Sequence, residues 1–424
     1  MGKKYLKFIL PSTLSFLLTG IYSIVDGIFV GRAMGDDGLA AINIAWPLVA
    51  LIIALGTGIG MGASVMVSLN LGAGNEKAAD KMEGNAFLLL FVSSLLLTAF
   101  LYLAGSPLLT LLGAEGVIHG HALTYLSYML LGGVIQVLAS GSIPLMRCRG
   151  AAFYSMCSMG CGCLINIALD YYLVLLAGLE LFGAAMATVC GQSVTLALCL
   201  AFYLRKKNRI PFRNMKPDGK AVSSILRVAA SPFGLTYLPS VTIIFMNLQC
   251  LKYGGEEAVS AYAVLAYLVS FMELLVQGIS DGSQPLLSHS KGSGDTKSLK
   301  NYTRWTFSLG IFLGVLSGAL VYLLRRHIPA FYGTSEEAAR LILRSAPAFA
   351  LVMAMYGLTK PAISYFYATK RLLRSSFLVY GEALLTLAVI FLLPLLLGLD
   401  GVWGTMPLVQ LLLGLACVIF LMKK

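Results

Sequence analysis

Six ionisable side chains fall inside long apolar runs of this sequence: Asp26, Asp170, Glu273, Asp281, Lys360 and Glu382. Inside a bilayer such groups are costly and mark function by default. Asn166 precedes Asp170 by four residues, so the two share one face of a helix. That face offers an amide carbonyl and a carboxylate, both hard oxygen ligands. Asp26 adds a second carboxylate if its helix adjoins. Two carboxylates close together in a low dielectric repel, and either a proton or Na⁺ relieves the repulsion. The trio Asp26, Asn166 and Asp170 therefore reads as a site for an exchangeable Na⁺ or H⁺. A competing reading keeps Asp170 hydrated or capping at the outer interface, because Tyr171 and Tyr172 follow it.

A second constellation is a stripe at helical spacing: Glu273, Gln277, Ser280 with Asp281, and Gln284, beside Gly278 and Gly282. A polar stripe on an apolar helix most simply lines a hydrated cavity. Glu273 reads as a group that attracts cations, with pairing to Lys360 or an interface position as alternatives. Lys360 is long enough to snorkel toward the cytoplasm. Glu382 lies about two turns inside its own apolar run and has no settled role. Tyr22, one turn before Asp26, completes the candidate cavity residues. Cys157, Cys161 and Cys163 have a spacing that could suggest a metal, but they sit on a small-residue face without a histidine and read as packing.

The elements that must position these groups follow from composition. The chain is 58% hydrophobic and 12% charged, with a mean hydropathy of +0.83. Soluble domains carry about 25% charged residues, so this is an integral membrane protein. Spans of about 20 apolar residues are expected at about 8–31, 39–70, 84–106, 122–145, 155–177, 183–204, 229–252, 258–288, 303–324, 340–367, 375–397 and 401–422. Alternating strands of a β-barrel are not seen. The halves repeat at an offset of about 220 residues: Gly72-Ala73-Gly74-Asn75 matches Gly292-Ser293-Gly294-Asp295, and Gly58, Gly62 and Gly113 match Gly278, Gly282 and Gly333. The fold expected is all-α, with twelve transmembrane helices in two pseudo-symmetric six-helix lobes. The lobes are 1–204 and 229–424, joined by a cytoplasmic linker at 205–228. Tandem repeats of spans are the geometry of alternating access.

The net charge of +12 is read as orientation, with no nucleic-acid partner. Most basic residues fall on the side of both termini, so the termini are expected in the cytoplasm and the chain in the cell membrane. Met1-Gly2-Lys3-Lys4 leads straight into the first run, so no cleaved leader is expected.

In their order and spacing these features resemble the multidrug and toxic compound extrusion (MATE) family. The motifs are Val25-Asp26-Gly27-Ile28-Phe29-Val30-Gly31, the Gly-Ala-Gly-Asn after span two, Gln284-Pro285-Leu286-Leu287-Ser288, and Gly183-Ala184-Ala185-Met186-Ala187-Thr188. The resemblance covers nearly the whole chain and is nearest the branch of DinF-type and MepA-like exporters. It implies a coupling site of Asp26, Asn166, Asp170 and Thr188, and efflux of cationic amphipathic compounds in exchange for Na⁺ or H⁺. No other cofactor is implied, and one chain suffices. The NorM-type branch uses acids in spans seven and ten, where this chain offers Asn247 and Lys360, so a second site of that kind is not expected. Two alternatives are a flippase for lipids or lipid-linked oligosaccharides and a membrane-embedded enzyme. The first wants a basic cavity and the second a clustered catalytic set. The sequence shows neither.

Overall fold

A computed structural model describes residues 1–205 and 216–423. Residues 206–215 of the expected linker lie outside this description. Every regular element among the described residues is helical. In chain order they are α1 (Gly2–Gly35), α2 (Asp37–Gly72), α3 (Glu76–Leu111), α4 (Gly116–Leu131), α5 (Gly133–Cys148), α6 (Ala152–Leu176), α7 (Glu180–Leu204), α8 (219–254), α9 (256–292), α10 (Thr296–Leu324), α11 (Ile328–Tyr332), α12 (Glu336–Ala368), α13 (Leu372–Leu397) and α14 (Leu399–Met422). Ten stretches are long and apolar enough to cross a bilayer, and α4 with α5 adds an eleventh. The 74-residue stretch Gly219–Gly292 divides at Gly255, which brings the crossings to twelve among the described residues.

The fourth span, expected as one continuous helix, is a correction. It breaks at Gly132 into α4 and α5, bent by 60°. Gly132 and Gly133 supply two adjacent positions without side chains, where Val189 and Thr98 pack close against the backbone. Gln136 replaces part of the lost backbone pairing by donating from Nε2 to the Met129 carbonyl at 2.9 Å.

The repeat is written into the backbone as well as the sequence. Left-handed residues recur at one offset: Gly35 with Gly255, Gly74 with Gly294, Gly113 with Gly333, Gly150 with Lys370, and Gly178 with Gly398. Gly35 and Gly255 make the sharp breaks between α1 and α2 and between α8 and α9. Their positive φ is open to glycine and costs other residues.

The chain divides into two compact units, residues 1–237 with 288–295, and residues 238–287 with 296–424. The boundary thus falls inside α8, later than the expected lobe boundary. α8 already starts at Gly219, capped by Asp218, so the later part of the expected linker is helical. The reason is close packing inside unit 1. The backbone at Gly58 meets Phe233, and Gly62 meets Ile225 and Ala229. The Asp218 carboxylate accepts from the amides of Lys220 and Ala221 and pairs with Lys81, while its own amide donates to Asn85. Lys81 and these amides hold the Asp218 carboxyl down to about 2. The charged cap is therefore complete above the ordinary carboxylate range and is lost only as pH falls toward 2.

Unit 1 also holds the end of α9. A Cβ on Gly292 would lie 2.0 Å from the Leu69 carbonyl oxygen, and one on Gly72 would lie 2.1 Å from that of His289. Backbone on both sides leaves nothing to yield. Gly292→Val is expected to lower stability by about 1–3 kcal/mol, as overpacking does. The measurement is thermal unfolding of the purified chain in detergent, and an unchanged melting temperature would refute the close approach.

An ion cluster around the buried Glu83 ties α3, the C-terminal end of α5 and α7 together within unit 1. Arg149 donates from Nε to Glu83 at 2.8 Å and also pairs with Asp80, and the Tyr203 hydroxyl donates to Glu83 at 2.8 Å. Glu83 is fully buried. Removing one partner of a buried pair leaves an uncompensated charge. Arg149→Met is thus expected to destabilise by about 3–5 kcal/mol, with Glu83→Gln partly restoring the double variant in the same unfolding assay.

Candidate functional site

Each helix that carries a sequence-predicted residue of unit 1 has a local reason for its course. On α1, Ser15, Thr19 and Ser23 each donate a hydroxyl to the carbonyl four residues back, at 2.8, 3.1 and 3.0 Å. With Pro11 accepting the first of these bonds, the ladder loads one face of α1 with competitors for its own backbone, a pattern that bends helices. Tyr22 and Asp26 lie along an adjacent face.

α6 and α7 approach closely at glycines. Gly162 faces the Gly191 carbonyl and the Thr195 hydroxyl, and Gly191 faces the Gly162 carbonyl and the Cβ of Asn166. This contact sets Asn166 beside α7, where its Nδ2 donates to Thr188 Oγ1 at 3.4 Å. One turn further Asp170 is completely buried. It is the last α-helical residue of α6, and Tyr171–Leu176 continue as a π-helix. Such segments are rare and concentrate at functional sites. Phe29 of α1 and Tyr171 of the π segment meet with ring centroids 6.3 Å apart, so the two acid-bearing helices adjoin. The Asp170 carboxyl group is close enough to feel the charge of Asp26.

The residues the sequence grouped, Asp26, Asn166, Asp170 and Thr188, are therefore neighbours in the structure. Their remaining hydrogen-bonding capacity is unfilled. Buried Oδ1 of Asp26, Oδ1 of Asn166 and both carboxyl oxygens of Asp170 have no hydrogen-bond partner. Buried acceptors without donors are costly. Four unfilled acceptor oxygens on neighbouring side chains form a donor set that fits a hard monovalent cation or a proton. Tyr22 stands by this pair, close enough to feel Asp26, Asp170 and Cys163. So does Tyr125 of α4, which is 3% exposed and sees Asp26, Tyr22 and Asp170. Sequence reasoning missed Tyr125. The available signal was weak, a phenol in an apolar run that also holds Tyr128, since a buried tyrosine needs a partner for its hydroxyl.

In unit 2 the polar stripe of α9 splits into two clusters. Gln277 donates to Asp281 at 2.7 Å, and the hydroxyl of Tyr367 donates to the same oxygen at 3.4 Å. Ser364 donates to the Ser280 carbonyl at 3.1 Å. Asp281 and Gln284 are buried, so this end of the stripe is packed protein in place of the cavity wall the spacing suggested. Glu273 belongs to the other cluster. Its carboxylate lies 2.7 Å from the Lys360 ammonium, and that of Glu382 lies 3.9 Å away. Lys360 is 2% exposed, so the expected snorkelling toward water does not occur. Two acids hold the ammonium inside the unit, and the Tyr356 ring sits 4.6 Å beneath it. α12 is fixed there by α10, whose Gly310, Gly314 and Gly318 lie against the backbone of Gly357, Met353 and Ala350, a small-residue seam. No group of three or more His, Cys, Asp or Glu residues among those described could hold a metal, and the cysteines of α6 form none.

The sequence pattern of the MatE family matches residues 11–172 and 235–400. The chain belongs to the MatE family. Among curated relatives it is 25% identical to the multidrug export protein MepA of Staphylococcus saprophyticus, over 98% of this chain and 92% of that protein. It is 24% identical to MepA of Staphylococcus aureus, again over 98% and 92%. Among solved structures it is similar to a MOP superfamily transporter from Pyrococcus furiosus, with a TM-score of 0.91 at 21% identity, covering 99% of this chain and 94% of that one. The Vibrio cholerae MATE transporter VcmN aligns with a TM-score of 0.91 at 18% identity, covering 100% and 97%. The chain is a multi-pass membrane transport protein.

Proposed function

We propose that this chain is a multidrug exporter of the cell membrane. It carries cationic amphipathic organic compounds outward in exchange for Na⁺ or H⁺, with its termini in the cytoplasm and one chain sufficient. The observation that carries the reading is the set of unfilled acceptor oxygens on Asp26, Asn166 and Asp170. The relatives named multidrug export proteins support the choice of cargo.

In this mechanism the incoming ion is taken by the Asp26 and Asp170 carboxylates, with the Asn166 carbonyl and the Thr188 hydroxyl as neutral ligands. Its arrival removes the repulsion between the two acids, and α1 shifts against α6. The hydroxyl ladder of α1 and the π segment of α6 make these the two helices best suited to move. The two units then alternate in which side of the membrane reaches the drug site. The ion shifts the population only by its preference for one state over the other. Exchange of one Na⁺ or H⁺ for one monovalent organic cation moves no net charge, so the drive is the ion's own concentration gradient, and each tenfold in that gradient, about 1.4 kcal/mol, supports a tenfold drug gradient.

The test is efflux of ethidium from cells expressing the chain, with a Na⁺ gradient and a pH gradient imposed separately. Efflux driven by one gradient alone names the ion. Folded protein in the membrane with no efflux under either gradient refutes the reading.

A further inference from the structure

The ion cluster of unit 2 lies outside the exchange at Asp26 and Asp170, and its charge does not balance. Two carboxylates, Glu273 and Glu382, face one ammonium, Lys360. The ammonium is placed unequally, at 2.7 Å from Glu273 and 3.9 Å from Glu382. The carboxylates also differ in their other partners. Glu382 accepts from Gln410 Nε2 at 2.8 Å and from the Tyr356 hydroxyl at 3.3 Å. Gln410 is in turn held by the Thr359 hydroxyl at 3.3 Å. Glu273 has the ammonium and the more open side chain of the two, 21% against 16% exposed. A surplus negative charge in a low dielectric is expensive until a cation or proton meets it. Glu382, further from Lys360 and held by neutral donors on one oxygen, is where a proton settles it.

We propose that Lys360 is a relay between an organic cation and a proton: a cationic substrate takes Glu273, the ammonium of Lys360 moves to Glu382, and Glu382 gives up its proton to solvent. The charges balance. One positive charge arrives as substrate, one leaves as H⁺, and Lys360 stays protonated throughout. The movement needed is small, because both carboxylates already lie within 4.0 Å of the same nitrogen. The titratable groups around Glu382 are Tyr356 and Lys360 on α12, Glu273 on α9 and Cys417 on α14. Among these, only Lys360 can bring a positive charge. The inference rests on the proposed cationic substrates and adds a second point at which they and protons compete.

The test uses the whole chain, purified in detergent and carrying Asp26→Asn and Asp170→Asn, so that the pair in unit 1 releases no protons. Tetraphenylphosphonium binding is followed by calorimetry between pH 6 and pH 8 in buffers of different ionisation enthalpy. Close to one proton should leave per cation bound. Affinity should rise with pH by up to about tenfold per unit, as for one linked proton. Glu382→Gln should abolish both effects and weaken binding, because the ammonium displaced from Glu273 then has no carboxylate to move to. Glu273→Gln should weaken binding at least about tenfold, the loss of one charge-assisted contact. If Glu382→Gln does not fold, Glu273→Gln decides alone, because Lys360 then rests on Glu382 and proton release must vanish. Proton release that survives Glu382→Gln, or binding indifferent to Glu273→Gln, overturns the relay and leaves the cationic-substrate reading standing. No binding by any form, including the unmodified chain, removes the substrate reading and the relay with it.

Discussion

Asp26→Asn should abolish coupled export, lowering ethidium efflux at least about a hundredfold, while the protein accumulates in the membrane at near its normal level. The amide keeps the size and hydrogen-bonding oxygen of the acid but can neither exchange a proton nor neutralise a bound cation. Folding should not suffer. Oδ1 of Asp26 accepts no hydrogen bond that the amide would break. Removing one of two mutually repelling carboxylates relieves a cost in the low-dielectric interior. The variant should therefore melt at or above the temperature of the unmodified chain at neutral pH. Efflux measured in cells alongside immunoblotted membrane levels separates the two effects. Normal export from this variant would remove Asp26 from the coupling site.

The largest loss of stability should come from Lys360→Met. The substitution leaves Glu273 and Glu382 together inside unit 2 with no cationic partner among the described residues, and breaking a buried pair costs about 3–5 kcal/mol. The destabilisation should shrink as pH falls, because protonation removes the charge left without a partner. It should also shrink when Glu273→Gln and Glu382→Gln are added, since the triple variant buries no charge in the cluster. Thermal unfolding in detergent from pH 5 to pH 8 checks both. A pH-independent loss would mean that packing of the lysine stem, and not its charge, holds α9, α12 and α13 together.

Much of the fold was legible because the bilayer imposes a coarse code. Runs of about 20 apolar residues mark crossings whatever their neighbours, and the glycine matches at one offset announced the duplication. The break at Gly132 was not legible. Two adjacent glycines in an apolar run look the same whether they admit a neighbouring helix or bend their own, and the packing of Val189 and Thr98 decides between these. The first half of the coupling site was legible for a local reason: Asn166 and Asp170 share a face by spacing alone. That Asp26 meets them depends on α1 lying against α6, which the family resemblance supplied and local spacing did not. Tyr125 belongs to a fourth helix, and nothing within its own run aims it at the acids. The unit 2 cluster shows the same limit. Glu273, Lys360 and Glu382 each stand out as ionisable groups in apolar runs, but the choice between a snorkelling lysine and a buried ion pair is made by three helices at once.

The π segment that follows Asp170 separates two demands on α6. Residues before it must hold Asn166 and Asp170 in register with α7, while residues after it must end the crossing and turn at Gly178. A wider, irregular turn between them lets the C-terminal end of the crossing change length without rotating the acids. A single-residue deletion within 171–176 is therefore the indel most easily absorbed along α6. A deletion between Asn166 and Asp170 would swing the carboxylate about 100° around the helix and away from its partners. Natural variation in length should find room on the C-terminal side of Asp170 and none on the N-terminal side.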